Sequence, residues 1–260
     1  VNYSESQFKQ IEEDYLKFAA PLNLKNISFI PVSALEGDNV VNSSEKMNWY
    51  TGKPLLQFLE DVEVVNEKIS EDSGRFQVQY VIRPQTEELH DYRGYAGKIL
   101  SGSYSKNEPV IVLPAGIETV IDRIEVNQKE VETAYSSDPV VLHLKDDVDV
   151  SRGNTIVPLS LLPKTDKELT AKICWMDNNA FQPGQKLLLQ QNSFRTKVIL
   201  KEVLAKIDIH SFSELASDGL IKLNDICKVQ LKTAEAVTYD VYSENRQSGG
   251  FILINENTNN

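Results

Sequence analysis

Three neighbouring residues, Ser33, Ala34 and Leu35, stand where an apolar run (Ile27 to Val32) meets a Gly37-Asp38-Asn39 turn. Small side chains at the end of a strand leave the backbone N–H groups uncovered, so a ligand oxygen can approach them closely. Other residue types here invite chemistry less well. His90, His143 and His210 are far apart and have no partner one helical turn away, which argues against a metal site. His90 beside Asp91 reads either as an acid–base pair or as a loop contact, and the loop contact is favoured. Asp146, Asp147 and Asp149 lack the Gly and Glu of a calcium loop and read as a solvated turn before a strand at Val150. Lys222, Lys228 and Lys232 alternate with Leu223, Val229 and Leu231, the pattern of an exposed strand face, with a phosphate-facing role as the minor alternative. Cys174 and Cys227 have no metal-ligand spacing and read as buried free thiols of a reducing, cytoplasmic protein.

These side chains need elements to hold them. The chain has 260 residues, 41% hydrophobic and 25% charged, with a net charge of −11. Two or three domains are expected at that length. The acidic balance argues against a free nucleic-acid binder, which needs clustered Lys and Arg, and leaves room for a local basic patch. No apolar run approaches the ~20 residues of a membrane span.

In chain order, Phe8, Ile11, Tyr15, Phe18 and Leu22 recur at spacings of three and four, giving an amphipathic helix from Ser4 to Ala19 with a Ser4/Gln7 capping box. A short buried strand is predicted over Asn26 to Val32. A second helix follows, with Pro54 in its first turn and Leu55, Leu56, Leu59 and Val62 inward. Trp49 and Tyr50 are expected to pack the intervening loop on a barrel. Helix, strand, turn and helix make residues 1–66 the C-terminal remnant of an α/β domain, which cannot bury its own faces alone.

From Arg75 the period becomes two. Strands are expected over residues 76–82, 95–104, 110–113, 120–126, 140–144 and 155–157, then over 169–175, 187–189, 196–206, 226–231, 237–242 and 251–255. Short strands with turn chemistry between them mean small barrels. The fold class is therefore mainly β, with one barrel over 74–162 and a second of different descent over 163–260.

That order of parts resembles the elongation-factor-like GTPases. The run Pro31 to Val40, followed by Trp49-Tyr50-Thr51-Gly52, is similar to the last guanine-contacting loop of both the tRNA-delivering factors and the GTPase subunit of bacterial sulfate adenylyltransferase. Asp91 to Ile99, Asp146 to Gly153 and Asn245-Arg246 with Gly250-Phe251-Ile252-Leu253-Ile254 resemble the sulfate branch. The resemblance implies that Ser33, Ala34 and Leu35 contact guanine, with the Ala34 N–H toward O6. It implies GTP and Mg in the full-length protein, and a separate catalytic ATP-sulfurylase subunit as heterodimer partner. Together the two would make adenosine 5′-phosphosulfate from ATP and sulfate, driven by GTP hydrolysis. It also implies a further apolar strand after Asn260, so that the second barrel lacks its closing strand. The alternatives are a fragment of a tRNA-delivering factor and a stand-alone β-rich interaction module.

The sequence departs from that family where the chemistry lies. No G-x-x-x-x-G-K-[ST] phosphate loop occurs, since Gly97-Lys98 is followed by Ile99. Asp91-Tyr92-Arg93-Gly94 fits a switch pattern by letters only and reads as a strand turn with an Arg–Asp contact. No Asn-Lys-x-Asp motif is present. These 260 residues by themselves are expected to be non-catalytic, with no bound cofactor, no nucleic acid and no membrane.

Overall fold

The structure is a computed structural model that describes residues 2–22, 24, 26–62, 73–84, 92–256 and 258. It divides into two compact units, Val1–Glu67 and Lys68–Asn260.

The first unit holds helix α1 (Glu5–Ala19), a 3-10 turn (Ala20–Leu22) and helix α2 (Leu55–Asp61). Ser4 caps α1 by accepting the Gln7 N–H, as its spacing predicts. The segment 27–33 is extended but is not a strand. A strand needs a neighbour to take its N–H and C=O groups, and no described strand lies beside it. The apolar stripes of both helices stay largely open to solvent, with Ile11 57% and Leu59 58% exposed. The inward placement expected for Leu56, Leu59 and Val62 is therefore not met: all three are exposed. Trp49 packs on α1. Its ring lies 5.3 Å from that of Phe8, and its Nε1–H donates to the Tyr3 carbonyl at 3.0 Å.

The second unit opens with β1 (Arg75–Ile82), β2 (Gly94–Ser101), β3 (Ser103–Ser105), β4 (Pro109–Leu113) and β5 (Ile117–Val126). It continues with β6 (Lys129–Val131), β7 (Thr133–Tyr135), β8 (Pro139–Leu144) and β9 (Thr155–Pro158). Six of these close a barrel in the order β4-β9-β1-β2-β8-β5, because β4 also pairs with β5. Closure removes the free edges that an open sheet presents. Alternation fills the interior: Phe76, Val78, Tyr95, Ile99 and Tyr104 are at most 1% exposed, each worth roughly 1.5–3 kcal/mol of burial. The single strand expected over 95–104 is broken by Gly102. That residue has φ +68°, and a Cβ there would fall 2.6 Å from the Gly74 nitrogen.

The following strands are β10 (Lys164–Cys174), β11 (Lys186–Gln191), β12 (Phe194–Ile207), β13 (Glu214–Leu215), β14 (Ile226–Tyr239) and β15 (Ile252–Ile254). Their order is β10-β14-β12-β11-β15, with β13 on β12, around a core that includes Phe181, Leu189, Leu200, Val229 and Leu231. Among the described residues β10 and β15 are not joined, so this barrel is open along one seam. The two strands expected over 226–231 and 237–242 are one. Between Lys232 and Val237 the strand bulges, and Thr233 Oγ1 donates to the carbonyls of Lys167 and Glu235 there.

A buried polar seam joins the two barrels. Arg75, 3% exposed, makes a two-pronged ion pair with Asp240, Nε to Oδ2 and Nη2 to Oδ1, both at 2.8 Å. Its Nη1 donates to the carbonyls of Gly74 and Leu161. Gln77 Oε1 accepts the Ser193 N–H at 2.8 Å, and Asn245 Nδ2 donates to Ser101 Oγ at 2.9 Å. Every prong of the guanidinium is satisfied, which is the condition under which a buried charge is tolerated.

Candidate functional site

The residues around Ser33 form a small, fully bonded frame that leaves two donors free. The Gly37 N–H donates to the Ser33 carbonyl at 2.8 Å, and the Ser33 N–H donates to the Asp38 carbonyl at 3.1 Å. Ser33 Oγ accepts the Glu36 N–H at 3.3 Å. Gly37 supplies the positive φ of +77° that returns the chain. Between these bonds the N–H groups of Ala34 and Leu35 meet no acceptor among the described residues. Both residues are exposed, Leu35 at 92%. Ser33, Ala34 and Leu35 are thus brought together as one exposed turn.

The floor of the turn is Asn39, which is 2% exposed and has φ +55°. Its Nδ2 donates to the Pro31 carbonyl at 3.0 Å, and its Oδ1 accepts the Ser44 N–H at 2.8 Å. Its own carbonyl takes the Leu55 N–H, and that of Val40 takes the Leu56 N–H, both at 2.9 Å. Two of the orphan donors at the start of α2 are met in this way, since Pro54 has no side-chain cap to offer. Asp38 completes the support, accepting from Ser44 Oγ at 2.8 Å and from Tyr3 Oη at 2.9 Å. The Ser44 bond, then those of Tyr3 and the charge of Lys46, hold its carboxyl below the usual range. The structural weight of Asn39 and Asp38 is not evident from their position in a turn. The one sequence signal is Asn directly after Gly-Asp, a residue type that tolerates the left-handed region.

The remaining singled-out residues do not converge on that turn. His90 and Asp91 lie outside the described residues. His143 is buried on β8 of the first barrel: its Nδ1–H donates to the Arg93 carbonyl at 2.8 Å, and its ring meets Tyr92 edge-on. Nε2 lies 3.3 Å from Arg123 Nη2 and 3.0 Å from Glu125 Oε1. Burial, then Arg123, pushes its pKa down against the pull of Glu125. His210 is exposed on a turn, and of the two thiols expected to be buried Cys227 is, whereas Cys174 at the end of β10 is exposed. Arg93 pairs with Asp147, an aspartate outside the Asp91–Gly94 turn, while Asp146 accepts from Thr119 Oγ1 at 2.7 Å. Val150 is buried but is not in a strand. Among the described residues no three acidic, His or Cys side chains come together as a metal site. No helix is long and apolar enough to cross a membrane.

Comparison with known proteins finds relatives of the whole chain. A protein family described as GTP-eEF1A C-terminal domain-like matches residues 168–260. Sulfate adenylyltransferase subunit 1 of Alteromonas mediterranea is 37% identical over 260 residues, covering all of this chain and 54% of that protein. The subunit 1 of Bacteroides fragilis is 36% identical, with 100% and 53% covered. The bifunctional enzyme CysN/CysC of Mycobacterium tuberculosis is 35% identical, with 100% and 42% covered. The chain therefore spans about half the length of the curated relatives it matches. Among solved structures, sup35 complexed with GDP superposes with a TM-score of 0.66 at 20% identity, covering 100% of this chain and 64% of that one. That is a likeness of fold. Along its whole length the chain is a homologue of sulfate adenylyltransferase subunit 1, with a second barrel of the eEF1A C-terminal type.

Proposed function

We propose that the chain is the C-terminal part of the GTP-hydrolysing subunit of a cytoplasmic sulfate adenylyltransferase. In this reading residues 1–66 end the nucleotide-binding domain, and 74–162 and 163–260 are the barrels that follow it. A separate catalytic ATP-sulfurylase subunit joins ATP and sulfate into adenosine 5′-phosphosulfate and pyrophosphate, and GTP hydrolysis drives that uphill step. The observation that carries the reading is the match to subunit 1 proteins over every residue of the chain.

Within it, Ser33, Ala34 and Leu35 form the wall that meets the guanine edge. The exposed Ala34 N–H donates to O6, and the methyl side chain lets the base lie flat against the backbone. The free donors of this turn fit such a base. GTP and its Mg ion supply the driving hydrolysis in the complete protein. The residues that hold the phosphates are not in this stretch, whose sequence has no phosphate loop.

One or two base contacts contribute ~1 kcal/mol each, whereas even millimolar affinity needs about 4 kcal/mol. Residues 1–260 alone are therefore expected to give no GTP-binding heat in calorimetry, while the complete polypeptide binds. Micromolar binding by residues 1–260 would overturn the division of labour proposed here.

A further inference from the structure

The second barrel sorts its charges. From Pro163 onward the chain has twelve basic and twelve acidic side chains, yet ten of the basic ones and only four of the acidic ones lie in β10, β11, β12 and β14. The acidic remainder is mostly in the connecting loops.

On the outer face of this sheet the register builds a specific cluster around Ile199, which is 37% exposed. Lys186 on β11 stands directly across from it on one side, and Lys232 on β14 on the other. Lys197 and Lys201 precede and follow it by two residues on β12 and share its face, because burial alternates along that strand. Cross-strand neighbours lie ~5 Å apart and residues two along a strand roughly 7 Å apart. Lys201 is paired with Glu168 at 3.2 Å. Glu168 also stands directly across from Lys232 on β10, but among the described residues no carboxylate oxygen forms an ion pair with Lys186, Lys197 or Lys232. No two of these lysines face each other directly, since Lys186 and Lys232 each stand across from Ile199, so the four gather around one apolar side chain and leave a positively charged face.

We propose that this face docks an acidic protein surface, with Ile199 seated against an apolar side chain of the partner and the surrounding lysines against its carboxylates. An apolar centre ringed by charge is the anatomy of a protein interface. A nucleic acid fits less well. The face presents no aromatic side chain for stacking, and Glu168 and Glu202 stand among the lysines, where phosphates would be repelled.

The test uses the 260-residue chain and a fluorescein-labelled peptide in which a leucine is flanked on both sides by pairs of glutamates, read by anisotropy at low salt. The peptide is expected to bind. The K186E/K232E variant should weaken it roughly tenfold while keeping the wild-type melting temperature, and should gain affinity for the matching lysine-flanked peptide. Ile199→Ser should also weaken binding. The proposal is overturned if the glutamate peptide does not bind, if it binds the double variant as well as the wild type, or if an RNA duplex binds more tightly with the same dependence on Lys186 and Lys232.

Discussion

Ala34 does its proposed work through a backbone N–H, so only a substitution that removes the donor should matter. Ala34→Pro in the complete polypeptide is expected to raise the Kd for GTP about tenfold, the worth of one hydrogen bond, whereas Leu35→Ala should leave it unchanged. Isothermal titration of both variants separates the two. Asn39 acts through its side chain. Asn39→Ala leaves the Pro31 carbonyl and the Ser44 N–H unpaired, and the first unit should lose about 2 kcal/mol. Urea unfolding followed by Trp49 fluorescence in a Trp175→Phe background reads that loss. His143 sets a pH dependence. Its pKa in the folded barrel lies below the ordinary 6.5, so the unfolded chain binds the extra proton. Its contribution is present in full above pH 6.5 and is lost as pH falls through that value toward the folded pKa. Melting temperatures measured from pH 8 to 5 should fall less steeply in His143→Gln.

At the scale of elements, the two barrels are tied by one ion pair that spans 165 positions of sequence. Arg75→Met leaves Asp240 buried and unpaired, and should cost about 3–5 kcal/mol. Adding Asp240→Leu should recover part of it in urea melts, because the double variant strands no charge. Nothing in the sequence pairs Arg75 with Asp240. The strands themselves were legible, because Phe76 and Val78 flank Gln77, Val229 and Leu231 flank Gln230, and all four apolar side chains are buried. Continuity of β14 was not, since the bulge from Thr233 to Ala236 interrupts the alternation and reads as a turn. The failure at 27–33 has another cause. Ile27, Phe29 and Ile30 carry strand propensity, but propensity does not supply a neighbour to bond with. The Ser33-Ala34-Leu35 turn was legible as a short run of small residues after an apolar stretch. Its dependence on Asn39 and Asp38 was not, because that support comes from Tyr3, Ser44 and the start of α2.

On the scale of the whole molecule, the second unit holds one closed and one open barrel, and the first unit has exposed apolar stripes on α1 and α2. The relatives matched are about twice as long, and the account places phosphate binding and hydrolysis in the portion outside these residues. The central claim is then one of coupling. The direct measurement is synthesis of adenosine 5′-phosphosulfate by the complete polypeptide together with an ATP-sulfurylase subunit, with and without GTP. Product is expected to accumulate with GTP, with GTP hydrolysed in step with it, and a non-hydrolysable analogue is not expected to sustain it. Equal product without GTP, or GTP hydrolysis indifferent to ATP and sulfate, would contradict that coupling.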